Sequence, residues 1–435
     1  MSKKILFIGG NFSPEQTGIG KYSGEMIQWL SQEGFDCTVV TTYPYYPQWK
    51  IQGSYHKSSF WYKKEIIPAK DKVSKGFTVI RCPHYIPKKP TGFRRIISDL
   101  SFFLTSSFVI FGMLLKKKND FVFTVAPPFC LGLLGVLYKK LKGAKFLYHI
   151  QDLQIEVAQN LEIVKSKSLF NTLFTIERYI YKNADFLSTI SEGMIKKVKD
   201  KAKKEVLFLP NWVDTQRFHP INNKEKLKLD FNFNVNDKIV LYSGAIGEKQ
   251  GLEAILDSAK FLEYIPYLKF IICGSGPYKE NLLQLKKKMN LQNVIFLPLQ
   301  PFEKLNALLN VADVHLVLQK NGASDLMMPS KLSTILSVGG VSIVTAKPGS
   351  SLFDVIDYNN AGLLIEPECQ DALNSAIKYA ISIDHAEIES NARCYAEKNL
   401  AIDKILSAFA YTLQNSKTNL SISKVPQKVL SSIAR

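Results

Sequence analysis

The sequence predicts an α/β protein made of two doubly wound parallel-sheet domains that face each other across a cleft. Three observations carry this. Short, continuously apolar runs alternate with amphipathic stretches of helical length, the pattern of a parallel sheet with crossover helices. The alternation stops near residues 211–223 and then starts again. Strand ends run into glycine-rich turns in both halves, at "IGGNFSPEQTGIG", "LYSGAIG" and "IICGSGP". Ligands of such open sheets bind outside the carboxyl ends of the strands. A chain of 435 residues has room for two or three domains.

The first half, residues 1–210, opens with "KILFIG", a buried strand by its unbroken apolar run. "KYSGEMIQWLSQEGF" follows as an amphipathic helix with Tyr22, Met26 and Leu30 (or Trp29) on one face, ending at Gly34. "DCTVVTTYP" is the next strand, stopped by Pro44. "DFVFTVAPP" and "KFLYHIQD" are further strands, separated by the helix "FCLGLLGVLYKKLKG", which ends at Gly143. The helix "LFNTLFTIERYIYKNA" and the strand "FLSTIS" complete the series.

The second half, residues 211–385, repeats the rhythm without repeating the sequence. Its strands are "KIVLYSGAIG", "LKFIICGSGP", "VIFLPL", "VHLVLQ" and "VSIVTA", and helical patterns such as "GLEAILDSAKFL" and "PSKLSTILSVGG" lie between them. One last helix is expected over residues 386–414, within a C-terminal helical segment 386–415. The polar, basic tail 416–435 reads as mobile.

The charge is lopsided: 56 Lys+Arg against 38 Asp+Glu give a formal net charge of +18. Such a balance favours an anionic partner, be it nucleic acid, an anionic membrane surface or a phosphorylated ligand, although a lysine-rich proteome produces the same number. No RNP-like or helix-turn-helix pattern supports nucleic acid. The six cysteines (Cys37, Cys82, Cys130, Cys273, Cys369 and Cys394) are scattered, with no C-x-x-C pair. That spacing implies neither a disulfide framework nor a zinc site, and it fits a reducing cytoplasm. The apolar run after "MSKK" is too short for a signal peptide.

One segment suggests lipid contact: residues 94–118, "RRIISDLSFFLTSSFVIFGMLLKKK". Its charge-free part, residues 100–115, spans about 24 Å as a helix, short of the roughly 30 Å hydrocarbon core. Basic clusters bracket it. An in-plane or re-entrant helix fits this pattern, and so does a buried helix of the first domain.

Residues able to hold an anion gather at the strand ends. Gly18 and Gly20 precede a helix, where glycine lets backbone N–H groups approach a phosphate and the helix start adds partial positive charge. Gly244 ends a strand, and Lys249 stands at a helix start, a poor place for a cation unless it faces a phosphate. Gly274 and Gly276 form the sharp turn "CGSGP". In "SDLMMPSKLSTIL", Asp325, Ser330 and Lys331 flank Pro329 at a helix start. His149 and Asp152, in "YHIQDL", end a first-domain strand and are candidate catalytic groups, with Glu156 and Glu192 behind them. The loop at Gly18 is not the full G-x-G-x-x-G fingerprint, there is no G-x-x-x-x-G-K-[ST], and no clustered ligand spacing proposes a metal.

Taken together, "NFSPEQTGIGKYSGEM", "TYPYYPQW", "HIQDL", "PNWVD", "YSGAIGEKQGLE", "CGSGP" and "MPSKLSTIL" resemble glycosyltransferase family 4, which has the GT-B fold of two Rossmann-like domains. More narrowly they resemble the bacterial colanic-acid-type fucosyl- or N-acetylfucosaminyltransferases, to about residue 415. The resemblance implies retaining transfer from a UDP- or GDP-linked sugar held by the second domain. The acceptor, held by the first domain, would be a lipid-linked (polyprenyl diphosphate) saccharide of capsule, O-antigen or exopolysaccharide assembly. It implies no cofactor and no obligatory metal, with Gly18, Gly20, Gly244, Lys249, Gly274, Gly276, Asp325, Ser330 and Lys331 on the donor and His149 or Asp152 on the transferred sugar. With the basic first domain, it implies a cytoplasmic protein peripheral on the inner membrane. The chain departs from the family pattern at the position of a common arginine, where Ala245 or Ile246 stands. It departs again at the E-x7-E pair, where Asp325 or Leu326 takes the first place and Thr334 the second. A GT-B-like epimerase, a phosphorylase or a non-catalytic basic membrane-surface protein are the competing readings.

Overall fold

The computed structural model describes residues 2–15, 18–69, 76–160, 166–320 and 329–415. Among the described residues, fourteen strands fall into two sheets. The first holds β1 (Lys4–Ile8), β2 (Asp36–Thr42), β3 (Lys63–Ile67), β4 (Phe77–Cys82), β5 (Phe121–Ala126), β6 (Lys145–Ile150), β7 (Phe186–Thr189) and β8 (Val206–Phe208). Their order is β3-β4-β2-β1-β5-β6-β7-β8. Only the edge strand β3 is antiparallel. The second sheet holds β9 (Lys238–Ala245), β10 (Leu268–Ser275), β11 (Val294–Leu297), β12 (Val314–Val317), β13 (Ser342–Thr345) and β14 (Leu363–Ile365). Its order, β11-β10-β9-β12-β13-β14, is wholly parallel and matches the doubly wound dinucleotide-binding arrangement.

The composition of the strands explains their place. β5, FVFTVA, is buried at every residue, as a central parallel strand covered on both faces must be. Helices Gly18–Gln32 and Leu131–Lys142 cover opposite faces of the first sheet: Met26, Ile27 and Leu30 join one apolar cluster, Leu131, Leu134 and Tyr138 another. Short edge strands were not foreseen from the sequence. β3 alternates half-buried and exposed positions, and β8 and β14 have three residues each.

The C-terminal segment differs from the single helix expected over 386–414. A helix at Ala386–Tyr395 passes into a π-helical turn at Ala396–Leu400, extends at Ala401, and restarts at Ile402–Asn415. Ala392 and Ala396 belong to the core of the second domain. Leu406, Phe409 and Leu413 instead pack with Ile5, Leu30 and Phe123 of the first domain. The chain therefore crosses between domains twice, and the crossings touch: Val213 N–H donates to Leu400 O (2.8 Å) and Ile402 N–H to Val213 O (3.0 Å). Lys3 Nζ closes the last helix by donating to the Leu413 and Gln414 carbonyls.

Candidate active site

The carboxyl ends of both sheets face one cleft. Two adjoining cavities occupy it, of about 490 and about 300 Å³. Both are lined by Gly18 and Tyr22 from the first domain and by Gly244, Ala245, Ser330 and Lys331 from the second.

The first-domain wall is set by the loop after β1. Glu15 is 2% exposed, and its carboxylate accepts from the Tyr45 and Tyr46 N–H groups, both at 2.9 Å, and from Asn11 Nδ2. Burial raises its pKa against those three donors. This carboxylate is the peg around which the loop wraps. Gly20 packs onto it: a Cβ there would lie 2.6 Å from Glu15 Oε2. Gly20 is buried and does not line the cleft, so its role is close packing rather than anion contact. Gly18 does line the cleft, in the left-handed region at φ +59°, which starts the helix facing it.

Tyr22, one turn into that helix, stacks edge-on against Trp212 at 5.4 Å, and its hydroxyl meets the Ser330 side chain. Trp212 Nε1 donates to Glu25 at 2.8 Å. Lys21 lines the larger cavity, its pKa lowered by burial and supported by Glu25 at 3.7 Å. A second bridge joins the domains where Gly193 N–H donates to Ser351 Oγ at 2.7 Å.

The second-domain wall is built from β9, β10 and the helix Ser330–Ser337. Gly274 and Gly276 do not reach the cavities. A Cβ on Gly274 would sit 1.9 Å from Gly244 O, and one on Gly276 would sit 2.0 Å from Ile246 O. Both glycines allow the ends of β9 and β10 to touch, and Cys273 and Ser275 line the cavity in their place. The helix Ser330–Ser337 opens on the cleft behind Pro329 and has no side-chain cap. Lys331 lies 3.8 Å over the Tyr242 ring and donates to Leu316 O at 3.2 Å. Burial pulls its pKa down to about 7. Thr334 lines the larger cavity but turns its hydroxyl back to Lys331 O at 2.8 Å. Asp325 and Leu326 lie outside the described residues, as does the side chain of Lys249.

The two cavities differ in character. The larger has an apolar wall of Phe218, Phe302, Leu305, Leu309 and Ile335. The smaller is lined by the amides of Gln151, Asn211, Gln250 and Gln319, with Asp152 the one carboxylate lining either cavity among the described residues. The buried oxygens Asn211 Oδ1, Gln250 Oε1 and Gln319 Oε1 have no hydrogen-bond partner among the described residues. A buried acceptor left so is costly unless a ligand supplies a donor.

His149 is not in the cleft. It is 3% exposed, stacked on Phe123, with Nδ1 2.9 Å from Ser188 Oγ and Nε2 2.9 Å from Gln151 Nε2. Burial depresses its pKa to about 3, so the ring is neutral. The consistent tautomer donates from Nδ1 to Ser188 and accepts from the Gln151 amide. His149 thus positions Gln151. Glu156 and Glu192 are likewise outside the cleft: Glu156 pairs with Lys201, which also holds Glu177, and Glu192 is exposed in the first turn of its helix. Among the described residues no group of three or more His, Cys, Asp or Glu is arranged for a metal, and all six cysteines are free.

Comparison with known proteins agrees with this fold. Residues 17–212 match the model of the glycosyl transferase 4-like domain, and residues 223–399 match glycosyl transferases group 1. The chain is 37% identical over 414 residues to the putative colanic acid biosynthesis glycosyl transferase WcaI of Escherichia coli K12, covering 93% of this chain and 98% of that one. Solved structures with the same fold include sucrose-phosphate synthase from Thermosynechococcus elongatus, with a TM-score of 0.71 at 16% identity over 95% of this chain and 98% of that one. Anabaena HepE in complex with UDP and glucose superposes at 0.67 with 14% identity, over 95% and 99%. WaaG, a glycosyltransferase involved in lipopolysaccharide biosynthesis, superposes at 0.64 with 14% identity, over 94% and 99%. The chain belongs to glycosyltransferase family 4, close to the colanic-acid-type enzymes, and is built on the GT-B fold.

Proposed function

We propose that the protein transfers a sugar, with retention of anomeric configuration, from a UDP- or GDP-linked donor to a lipid-linked saccharide in bacterial surface polysaccharide assembly, as in colanic acid. The observation that carries this is the junction of the two cavities at Gly18, Gly244, Ser330 and Lys331. A nucleoside with its apolar base suits the larger cavity, and a sugar suits the amide-lined smaller one. The diphosphate between them would lie at the junction. There a helix start, the Gly18 and Gly244 backbone and the Lys331 ammonium meet the charge that develops as the glycosidic bond breaks, and preorganised donors of this kind need no reorganisation. The amide oxygens of Asn211, Gln250 and Gln319, unpartnered among the described residues, would accept from sugar hydroxyls. Asp152, at the first-domain side, would orient the transferred sugar. Uridine is the first base to try, because HepE is described with UDP and glucose bound. Fucose and N-acetylfucosamine are the first sugars to try. A lipid-linked acceptor would put the enzyme on the cytoplasmic face of the inner membrane.

The test incubates the protein with radiolabelled UDP- and GDP-sugars and a lipid extract containing polyprenyl-diphosphate saccharides. Label passing into the lipid phase with release of free nucleoside diphosphate supports the reading, and NMR of the product gives the anomer. Recovery of an epimerised nucleotide sugar, or no turnover with any donor, refutes it.

A further inference from the structure

The helix Gly92–Leu114 carries two opposed apolar faces, and only one is used by the fold. The inner face, Ser98, Phe102, Ser106, Ile110 and Met113, is buried. The outer face follows the same helical spacing at Ile97, Leu100, Leu104, Phe108, Phe111 and, just past the end, Leu115. Exposure is 60% at Leu104, 70% at Phe108 and 91% at Leu115. The helix has one acid, Asp99, and it is turned inward to accept from Gln154 Nε2 at 2.6 Å. Beside this stripe the turn before β3 exposes Phe60 (86%) and Trp61 (74%). The next residue, Tyr62, ties that turn to the helix by donating to Thr105 O at 2.9 Å. Exposed cations close both ends: Lys88, Lys89, Arg94 and Arg95 before the stripe, and Lys116, Lys117 and Lys118 after it.

We propose that this stripe, with the Phe60–Trp61 turn, is the surface by which the enzyme lies on an anionic lipid bilayer, the helix in the plane of the interface. The partner follows from the charge pattern. An apolar face rimmed by lysine and arginine fits the acyl boundary beneath acidic headgroups. A second copy of the chain does not fit: both ends of the stripe are basic, so either antiparallel or parallel pairing sets cation against cation. A membrane span does not fit either. At 23 residues the helix is about 35 Å long, enough to cross. Its inner face, however, is built into the first domain. Ser98 Oγ donates to Tyr85 O, Lys142 Nζ caps the Leu114 and Lys116 carbonyls, and Phe102 and Ile110 sit in the sheet core. The sequence left an in-plane or re-entrant helix and a buried helix as alternatives, and the structure shows one helix that is buried on one side and apolar and exposed on the other. The stripe also adjoins the cleft. The Arg95 guanidinium lies 5.0 Å over the Trp49 ring, and the neighbouring Tyr46, Pro47 and Gln48 line the larger cavity. This deepens the reading of a lipid-linked acceptor and rests on it for its purpose: docking would bring that acceptor to the mouth of the site.

The experiment is vesicle flotation of the full chain with phosphatidylcholine alone and with phosphatidylglycerol added, at low and high salt. The wild type is expected to float with the anionic vesicles and to lose binding as salt rises. The triple variant L104S/F108S/F111S, and separately F60S/W61S, are expected to bind at least about tenfold more weakly. Neither touches the buried face, and circular dichroism checks their fold. Quenching of tryptophan emission by shallowly brominated lipids, present in the wild type, should diminish in W61S. Failure of the wild type to float, unchanged binding of both variants, or a wild-type dimer that the triple variant dissolves each overturns the proposal. Sugar transfer to a short-chain acceptor analogue separates it from the functional reading. Transfer without vesicle binding sinks the docking surface alone, and vesicle binding without transfer sinks the reaction alone.

Discussion

If Lys331 holds the donor diphosphate, as proposed, donor binding is a proton-linked event. Its pKa is pulled down to about 7 by burial, so above that pH the amine is mostly neutral. A diphosphate placed at the junction favours the ammonium and restores the pKa toward its ordinary value near 10.4. The ligand then prefers the protonated form. Its affinity is flat below about pH 7 and falls by up to tenfold per pH unit above it, until the pKa of the bound state is reached. Between pH 7 and 9 that is up to about a hundredfold, or roughly 2.7 kcal/mol. The stability of the unliganded protein moves the opposite way. The unfolded chain holds this proton up to its own pKa and the folded chain releases it at about 7, so stability rises with pH between the two and the penalty is complete below 7. Titration calorimetry with a nucleoside-diphosphate sugar, whose phosphates are both diesterified and carry constant charge, measures the slope directly. Buffers of different ionisation enthalpy count the proton taken up. Lys331→Met should bind roughly 10- to 100-fold more weakly at pH 7, the loss of one charge-assisted hydrogen bond, and should show no slope. A wild-type affinity that stays flat from pH 7 to 9, or the same slope in Lys331→Met, refutes the assignment of Lys331 to the diphosphate.

Three other substitutions separate packing from chemistry. Gly274→Ala drives a methyl group to 1.9 Å from Gly244 O, which should cost about 3 kcal/mol or more and lower the Tm of the second domain by roughly 6–12 °C in calorimetry; an unchanged Tm would show that β9 and β10 part easily. His149→Phe keeps the stack on Phe123 but leaves the Gln151 amide without its acceptor, so the donor KM should rise about 5- to 10-fold with the pH profile between 5.5 and 8 unaltered, because the ring is already neutral. Loss of a limb of that profile would return His149 to the chemistry. Phe409→Ala removes a nearly buried ring that packs on Phe123 from the far end of the chain; it should destabilise the first domain by about 3–5 kcal/mol, seen in urea unfolding, whereas a value below about 1 kcal/mol would mean the last helix is only loosely docked.

Much of the fold is legible in the sequence because parallel sheets write themselves plainly. A strand such as "FVFTVA", covered on both faces, has no polar position to confuse the pattern. The edges are written less plainly. β3, "KKEII", looks like surface, and three-residue strands carry no period. The break at Ala401 is invisible because neither proline nor glycine marks it, and the amphipathic pattern continues on either side while the face it serves changes from one domain to the other. The site was legible in the same uneven way. Gly18, Gly244, Ser330, Lys331 and Asp152 lie at strand or helix ends and line the cleft. Gly20, Gly274, Gly276 and His149 occupy equally suggestive positions and turn away from it. Sequence places a residue near a strand end, but not on the ligand side of that end. A glycine that admits a phosphate looks the same as one that admits a neighbouring carbonyl. The amides Gln151, Asn211, Gln250 and Gln319 come from four separate segments, so no spacing could have joined them. Lys21 and Tyr22 were legible only as helix residues, since their contacts with the cleft and with Trp212 depend on the second domain.

The most direct test of the central claim is a crystal structure of the enzyme with a bound nucleoside-diphosphate sugar. The account predicts the diphosphate at the junction of the two cavities, with an oxygen within hydrogen-bonding distance of Lys331 Nζ and of the N–H groups at the start of the helix Ser330–Ser337, and the sugar among Asn211, Gln250 and Gln319. A diphosphate held elsewhere, for example on Arg94 and Arg95 outside the cleft, would contradict it.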